Sequence, residues 1–330
     1  MNISHVLLRR LSKALNASTL FLIFLGGLVK STESGLSVPD WPTTYGHFMF
    51  AFPLEQMVGG IKYEHSHRMV ASLVGLFTLV LCILLLNARA IPVWIKRLGI
   101  WAVIAVVAQG ILGGLTVKYF LPVWLSSMHG VLAQTFLLIT IMIAYGLSSE
   151  RDMRLAAAEP PVDLKFNRMV LIFTGMVYIQ LILGNLMRHT ESGLAIPDFP
   201  TMGGSWWPVA NQDMLDHINV WRFENNLDAV KMGQIHIHLS HRVWAVLILL
   251  KLLYLNQLAY KTQLTRPLVM KTLFWLNMAI MLQISLGIAT VLSHKEIVTT
   301  TMHVAVGASV LALSFLLFLR SSATSLKLKT

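Results

Sequence analysis

The sequence predicts an all-α polytopic membrane protein, in which eight transmembrane helices form two tandem, pseudo-symmetric four-helix bundles. Two observations support this fold class. Of the 330 residues, 55% are hydrophobic and only 12% are charged, whereas soluble domains average about 25% charged residues. The apolar residues gather into eight long runs, and motifs of the first half of the chain return in the same order in the second half.

Each apolar run is long enough to cross the hydrocarbon core of a bilayer, which takes about 20 residues of helix. The basic N-terminal stretch leads into the first run without an evident small-residue cleavage site, so we expect that run to be a retained helix. The eight runs are approximately 14–30, 66–88, 97–117, 123–147, 167–187, 237–258, 268–291 and 297–319.

The basic residues between the runs predict the orientation. The net charge is +11, and most of the cations lie in alternate connections, which places these connections and both termini in the cytoplasm. Two long loops, about 31–63 and 188–236, are then on the outer side. Because the cations follow the membrane pattern and form no soluble basic face, we expect no nucleic-acid partner. The cytoplasmic set comprises Arg9, Arg10, Lys13, Arg89, Lys96, Arg97, Arg151, Arg154, Lys165, Arg168, Lys261, Arg266, Lys271, Arg320, Lys327 and Lys329.

A polar segment containing Pro160 and Pro161 predicts the domain boundary. We expect an N-terminal bundle in residues 1–150, a cytoplasmic linker in 151–166 and a C-terminal bundle in 167–330. Each half contains an even number of spans, so both halves enter the membrane in the same direction, as a parallel repeat does.

The repeat is most evident in the two outer loops. The twelve residues from Thr32 to Thr43 recur from Thr190 to Thr201 with nine identities, 158 residues later. The later matches have an offset of 174, so the second loop contains an insertion of 16 residues. These matches are Ser66-His67-Arg68 with Ser240-His241-Arg242, Thr116-Val117 with Thr290-Val291, and Met128-His129 with Met302-His303.

Four of the twelve histidines lie at equivalent positions of the two copies. His67 and His129 lie near the outer beginnings of two spans in the first half, and His241 and His303 do so in the second half. Two imidazoles at equal depth in one bundle can ligate the iron of a flat porphyrin from opposite faces. The sequence therefore predicts one haem in each half, with these four residues as iron ligands.

A histidine inside a membrane helix can have roles besides haem ligation. A single one can serve as a hydrogen-bond partner between helices, although ionisable groups at membrane depth mark functional sites by default. Zinc and copper also bind histidine, but they favour additional cysteine or carboxylate ligands. The only cysteine is Cys82, which lies inside an apolar run. Helix contacts and bare metal binding thus stay open as alternatives to haem.

The two copies differ beside their histidines. Glu64 lies three residues before His67 on the same helical face, and its counterpart before His241 is His238. This difference predicts chemistry at one site and a structural or electron-carrying role at the other; the alternative is that Glu64 is a solvated helix-start residue. Arg68 and Arg242 follow the ligands, and we expect them either to bind haem propionates or to anchor the helices at the interface. We expect His65, His236 and His294 on the outer surface.

Together these motifs resemble those of the haem A synthase family. The resemblance extends from about residue 14 to 319, and its motifs are short singly but specific in this order. They are Gly26-Gly27-Leu28 leading into Thr32-Glu33-Ser34-Gly35-Leu36, Glu64-His65-Ser66-His67-Arg68, Met128-His129-Gly130, His238-Leu239-Ser240-His241-Arg242 and Met302-His303.

The resemblance implies an oxidoreductase that converts haem O to haem A for terminal cytochrome oxidases by oxidising the C8 methyl group to a formyl group. By resemblance, His67 and His129 flank the substrate haem, Glu64 is the catalytic carboxylate, and His241 and His303 hold a haem b. The implied partners are the farnesyltransferase that makes haem O, membrane lipid and further copies of the chain. Residues 31–63 contain no cysteine, so the chain resembles the cysteine-free branch.

Two rival functions account for part of the same pattern. A di-haem b-type electron-transfer cytochrome would account for the four histidines but not for the Glu64/His238 difference. A transporter built from parallel repeats predicts broken helices and a polar midplane site, and the span interiors here are mostly apolar. We expect a multi-pass protein of the bacterial inner membrane.

Overall fold

A computed structural model describes residues 4–89, 91–156, 163–207 and 209–322, and these residues form a helical protein. Pro160, Pro161, Lys327 and Lys329 lie outside the described residues. The α-helices within these ranges are α1 (His5–Ser31), α2 (Ile61–Asn87), α3 (Val93–Lys118), α4 (Val123–Gly146), α5 (Ser149–Ala156), α6 (Leu164–His189), α7 (Gln212–Glu224), α8 (Met232–Thr262), α9 (Pro267–Leu292) and α10 (Ile297–Ser321).

Eight of the described helices, all except α5 and α7, are long and apolar enough to cross a membrane. They coincide with the eight predicted runs, which confirms an all-helical, multi-spanning protein. Six of the eight helices begin earlier than their apolar runs; α2, for example, starts at Ile61 and α8 at Met232, whereas α4 and α10 start where their runs do. Hydropathy detects only the segment suited to lipid, whereas helix ends follow capping and turn residues.

Large apolar side chains cover the outside of these helices. Leu76, Trp101 and Leu250 are 59%, 60% and 57% exposed, among many others. In a soluble protein such a continuous apolar surface would be an interaction or aggregation site. Around long helices whose backbone groups are satisfied internally, it is the surface that faces lipid.

The long helices pack as two rings. In the first half α1 and α3 each pack against both α2 and α4, and in the second half α6 and α9 each pack against both α8 and α10. The halves meet where α1 and α4 contact α10 and where α4 contacts α6. Each ring has its own apolar core, and a third cluster, which includes Ile23, Leu137 and Ala308, fills the interface between them.

Polar side chains of α6 strengthen the interface between the halves. The Asn185 amide donates to the Ser127 carbonyl of α4 at 2.8 Å, and Arg188 donates to the Gly27 carbonyl of α1 at 2.7 Å. Because lipid offers little hydrophobic gain for bringing helices together, such bonds and close packing hold membrane helices to one another.

The 16-residue insertion of the second loop accounts for α7. Asn211 caps α7 by accepting from the Met214 amide at 3.0 Å. Met214 and Ile218 then pack with Ile196 and Ile235 in a small apolar cluster under the loop. The insertion thus forms a folded helix that packs against the second half. The helical segments of the first loop are short 3₁₀ turns, Met49–Ala51 and Leu54–Gln56.

Candidate haem sites

Each of the four repeated histidines lies near the beginning of its long helix. His67, His129 and His303 each lie six residues after the first residue of α2, α4 and α10, which is about 9 Å along each helix axis. His241 lies nine residues into α8, which begins earlier. His67 is within electrostatic range of His129, and His241 is within range of His303.

The four imidazoles share one chemical feature. Each side chain is half-buried, and among the described residues the Nδ1 atoms of His67, His129, His241 and His303 are buried without a hydrogen-bond partner. A buried polar atom without a partner needs an explanation, and a functional or ligand-binding site is one such explanation. Paired imidazoles with unused nitrogens are donors that haem iron accepts.

The same histidines do not form a multidentate site for a bare metal ion. Among the described residues, no cluster of three or more histidine, cysteine, aspartate or glutamate side chains could hold one. Zinc sites normally use three or four such ligands. Cys82 is a buried free thiol within the core of the first half. The donor set therefore suits a cofactor that carries its own equatorial ligands, as a porphyrin does.

Glutamines contact three of the four histidines, and we did not predict them from the sequence. Gln109 of α3 donates to the His129 carbonyl at 2.9 Å, and its repeat partner Gln283 lies 3.3 Å from Nε2 of His303. Gln180 of α6 donates to the His241 carbonyl at 3.0 Å. The sequence did contain a signal for two of these glutamines. Gln109 and Gln283 are 174 residues apart, which is the offset of the repeat.

Glu64 is buried and held in place. It is 3% exposed, its Oε1 lies 2.5 Å from the Arg68 guanidinium, and its Oε2 accepts from the Val38 amide at 2.8 Å. The alternative of a solvated helix-start residue is therefore wrong. Glu64 connects α2 to the first loop just beyond the level of His67.

His238 occupies the equivalent place in the second half. Its Nδ1 lies 3.1 Å from the amide nitrogen of Ile196, and its Nε2 lies 3.1 Å from Nε of Arg242. Both neighbours are hydrogen donors, and a neutral imidazole has a single acceptor nitrogen. A carboxylate satisfies both donors, whereas this histidine satisfies one at a time.

Arg68 and Arg242 hold the two loops onto the helices. Arg68 donates to the carbonyls of Asp40 and Val38 at 2.6 and 2.7 Å. Arg242 donates to the equivalent carbonyls of Asp198 and Ile196 at 2.9 and 2.8 Å. These bonds occupy both guanidinium groups in the described structure. The contact of Arg68 and Arg242 with haem propionates stays a prediction.

The repeated loop motif has the same fold twice. Asp40 accepts from the Gly46 amide at 2.9 Å, and Asp198 accepts from the Gly204 amide at 2.9 Å. Burial raises the pKa of both carboxyls, but these and neighbouring hydrogen bonds outweigh it, so both pKa values lie below the ordinary value of 3.8. The motif is therefore a charged turn that equivalent hydrogen bonds close in both halves.

The surface exposure predicted for His65, His236 and His294 is right for two of these three histidines. His236 and His294 are exposed. His65 is 1% exposed; it bonds Thr44 at 3.1 Å and packs on the Phe52 ring, with 5.1 Å between centroids. The prediction for His65 is wrong because the first loop folds over the start of α2, which the flanking residues do not reveal.

Comparison with known proteins identifies the family. The model of the COX15-CtaA family, described as cytochrome oxidase assembly protein, matches residues 9–315. A protein of Rickettsia bellii is 28% identical over 86% of this chain and 88% of its own length, and one of Shewanella oneidensis is 27% identical over 93% and 96%. Another, of Halalkalibacterium halodurans, is 25% identical over 86% of each chain, and all three proteins are named "Heme A synthase". With a match that covers nearly the whole described fold and every paired histidine, the chain belongs to the COX15-CtaA family of cytochrome oxidase assembly proteins.

Proposed function

We propose that this protein is a haem A synthase, an oxidoreductase that converts the C8 methyl group of haem O to the formyl group of haem A. The observation that carries the proposal is the difference between two otherwise matched sites. Each half has a histidine pair with free Nδ1 atoms, but the position three residues before the first histidine is a carboxylate, Glu64, in one half and His238 in the other. The proposal also agrees with the name shared by the relatives.

Each half then has its own role. Residues 1–150 form the bundle that binds the substrate haem between His67 and His129, and residues 167–330 form the bundle that holds a haem b between His241 and His303. Residues 151–166 link them. A histidine instead of a carboxylate beside His241 suits a haem that carries electrons or stabilises the fold.

The residues of the first half do separate work in the reaction. His67 and His129 bind and orient the substrate haem, whose porphyrin and iron supply the redox chemistry. Glu64 takes up a proton or orients a water molecule near the methyl group, which requires hydrogen-bond reach. Arg68 fixes the orientation of that carboxylate, and the loop above it limits the access of bulk water.

We place the protein in the bacterial inner membrane with both termini in the cytoplasm, since the basic connections favour that orientation. The histidine pairs and loops are then near the outer surface. Haem O is lipophilic, so we propose that it arrives from the farnesyltransferase that makes it, within the bilayer or by direct contact. We also propose that the protein forms a homo-oligomer in the membrane.

Pigment analysis tests the function. The protein would be purified from cells that co-express a haem O source, and the extracted haems would be separated by chromatography with mass detection. Haem A or its hydroxylated precursor beside haem B is expected. Cells without the haem O source are the control and should yield haem B alone.

The same measurement decides against the rival cytochrome. Two haem B molecules per chain, with haem O supplied and left unchanged, would refute the synthase and support a di-haem electron-transfer protein. The Glu64→Gln variant separates binding from reaction. We expect it to retain both haems and to accumulate unreacted haem O.

A further inference from the structure

A glycine faces each of the four histidine rings. An alanine methyl at Gly26 would lie 3.2 Å from Cε1 of His67, and one at Gly113 would lie 3.2 Å from Cε1 of His129. In the second half, a methyl at Gly184 would lie 3.1 Å from Cε1 of His241, and one at Gly287 would lie 3.0 Å from Cε1 of His303. Each of these distances is shorter than ordinary van der Waals contact between carbon atoms.

The four glycines have equivalent positions in their helices. Each glycine lies on the long helix that precedes its histidine, five residues before that helix ends: Gly26 in α1, Gly113 in α3, Gly184 in α6 and Gly287 in α9. The helices of each pair are neighbours, and they run antiparallel, because a glycine near the end of one lies against a histidine near the start of the other. The end of one therefore brings its glycine level with the histidine near the start of the next.

The contact involves the chemically important edge of the ring. Cε1 lies between the two ring nitrogens and is the atom nearest to the glycine in all four pairs. A methyl group at this place would push the ring sideways by a few tenths of an ångström and change the direction of both nitrogens. Iron ligation is sensitive to such a change, because residues that orient a ligating imidazole tune affinity strongly.

Glycine is not required merely because these helices are membrane helices. Gly110 of α3 and Gly175 of α6 have open space where a methyl would lie. Gly110 is on the same helix as Gly113, and Gly175 is on the same helix as Gly184. A close neighbour is therefore not a general property of glycines in these helices. Where one occurs, it is a histidine ring for the four glycines above and another side chain for Gly99, Gly114, Gly130, Gly146 and Gly307.

We infer that Gly26, Gly113, Gly184 and Gly287 are positioning residues that set the orientation of the four haem-ligating imidazoles. This inference rests on the proposed function, because it assumes that the histidines ligate haem. The glycines themselves bind nothing; they leave the space in which each ring lies against the neighbouring backbone.

The test uses four single variants and two matched controls of the full chain, each purified in detergent after co-expression with a haem O source. The variants are Gly26→Ala, Gly113→Ala, Gly184→Ala and Gly287→Ala, and the controls are Gly110→Ala and Gly175→Ala. Haem-to-protein ratio, pigment identity and the electron paramagnetic resonance spectrum of the oxidised haems are recorded.

We expect each variant to perturb only its own half. Gly26→Ala and Gly113→Ala should weaken binding of the substrate haem about tenfold or shift its resonance, with haem b unchanged. Gly184→Ala and Gly287→Ala should do the reverse. The haem of the untouched half reports that the chain is folded, and the controls should match the wild type.

Three results would overturn the inference. The first is wild-type occupancy and spectra in all four variants. The second is an equal loss of haem from the control variants, and the third is loss of both haems from a single variant. Either of these would indicate that the substitution disturbs helix packing in general and not the orientation of one histidine. A wild-type protein without haem would instead refute the proposed function, and this inference with it.

Discussion

Glu64 and His238 hold the same place in the two halves of the chain, with different chemistry. Glu64 accepts from the Val38 amide and from Arg68, and His238 meets the corresponding donors, the Ile196 amide and Arg242. The site that we assign to catalysis thus has an anion that satisfies both donors. The site that we assign to haem b has a residue that satisfies one.

This relationship provides a control for the catalytic role of Glu64. In Glu64→His, the first half receives the residue that the second half already accommodates at this position. We expect the variant to keep its haems and its folded loop but to produce no haem A. Chromatography of the extracted pigments measures the product, and Glu64→Gln should behave in the same way. Wild-type yield from Glu64→His would limit Glu64 to holding the loop.

Removal of the two loop arginines should have unequal effects. Arg68→Ala leaves Glu64 buried without its cation, and breaking a buried ion pair costs about 3 to 5 kcal/mol. Arg242→Ala removes hydrogen bonds to loop carbonyls but leaves no buried anion, so we expect a loss of about 1 to 3 kcal/mol. Thermal unfolding in detergent compares the two. Equal losses would show that the ion pair contributes nothing beyond the shared carbonyl contacts.

The Trp41 ring lies directly against the backbone of Gly114. An alanine methyl at Gly114 would overlap this ring. At the equivalent positions of the second half, a smaller ring, Phe199, occurs together with a larger side chain, Ile288. Gly114→Ala should therefore displace the first loop and destabilise it by about 1 to 3 kcal/mol.

The compensating variant tests whether ring size is the cause. We expect Trp41→Phe combined with Gly114→Ala to recover much of the lost stability, because a smaller ring then faces the methyl group. Protease resistance of the first loop is the measurement, and Gly110→Ala is the control on the same helix. A double variant no better than Gly114→Ala alone would argue against this pairing.

The turn carboxylates predict how the loops respond to acid. Hydrogen bonds hold the pKa of Asp40 and Asp198 below 3.8, so their stabilising effect is fully present above that pH. It is lost only as the pH falls through the lower, folded-state pKa values. Unfolding temperatures followed from neutral pH to about pH 3 should fall at the acid end. The double variant Asp40→Asn/Asp198→Asn should show a smaller dependence, and an unchanged profile would exclude these two groups.

Much of this architecture could be predicted from the sequence. Apolar runs such as 66–88 and 268–291 identified spans because a membrane helix must be long and apolar. The repeat at offsets 158 and 174 identified the histidines, since duplication preserves positions whatever the fold around them. A capped helix inside a polar loop, α7, was not predicted, because its stability comes from packing on Ile196 and Ile235 rather than from local propensity.

The sequence by itself determined the number of spans, the internal repeat and which histidines occupy equivalent positions, because hydropathy and periodicity are properties of the chain. Only the tertiary structure decided the neighbours of those histidines. In the structure His65 is buried, and Arg68 donates to the loop carbonyls. Gly113 and His129 lie against each other although they belong to separate helices. Such contacts depend on how antiparallel helices align in space, and no local pattern of residues encodes that alignment.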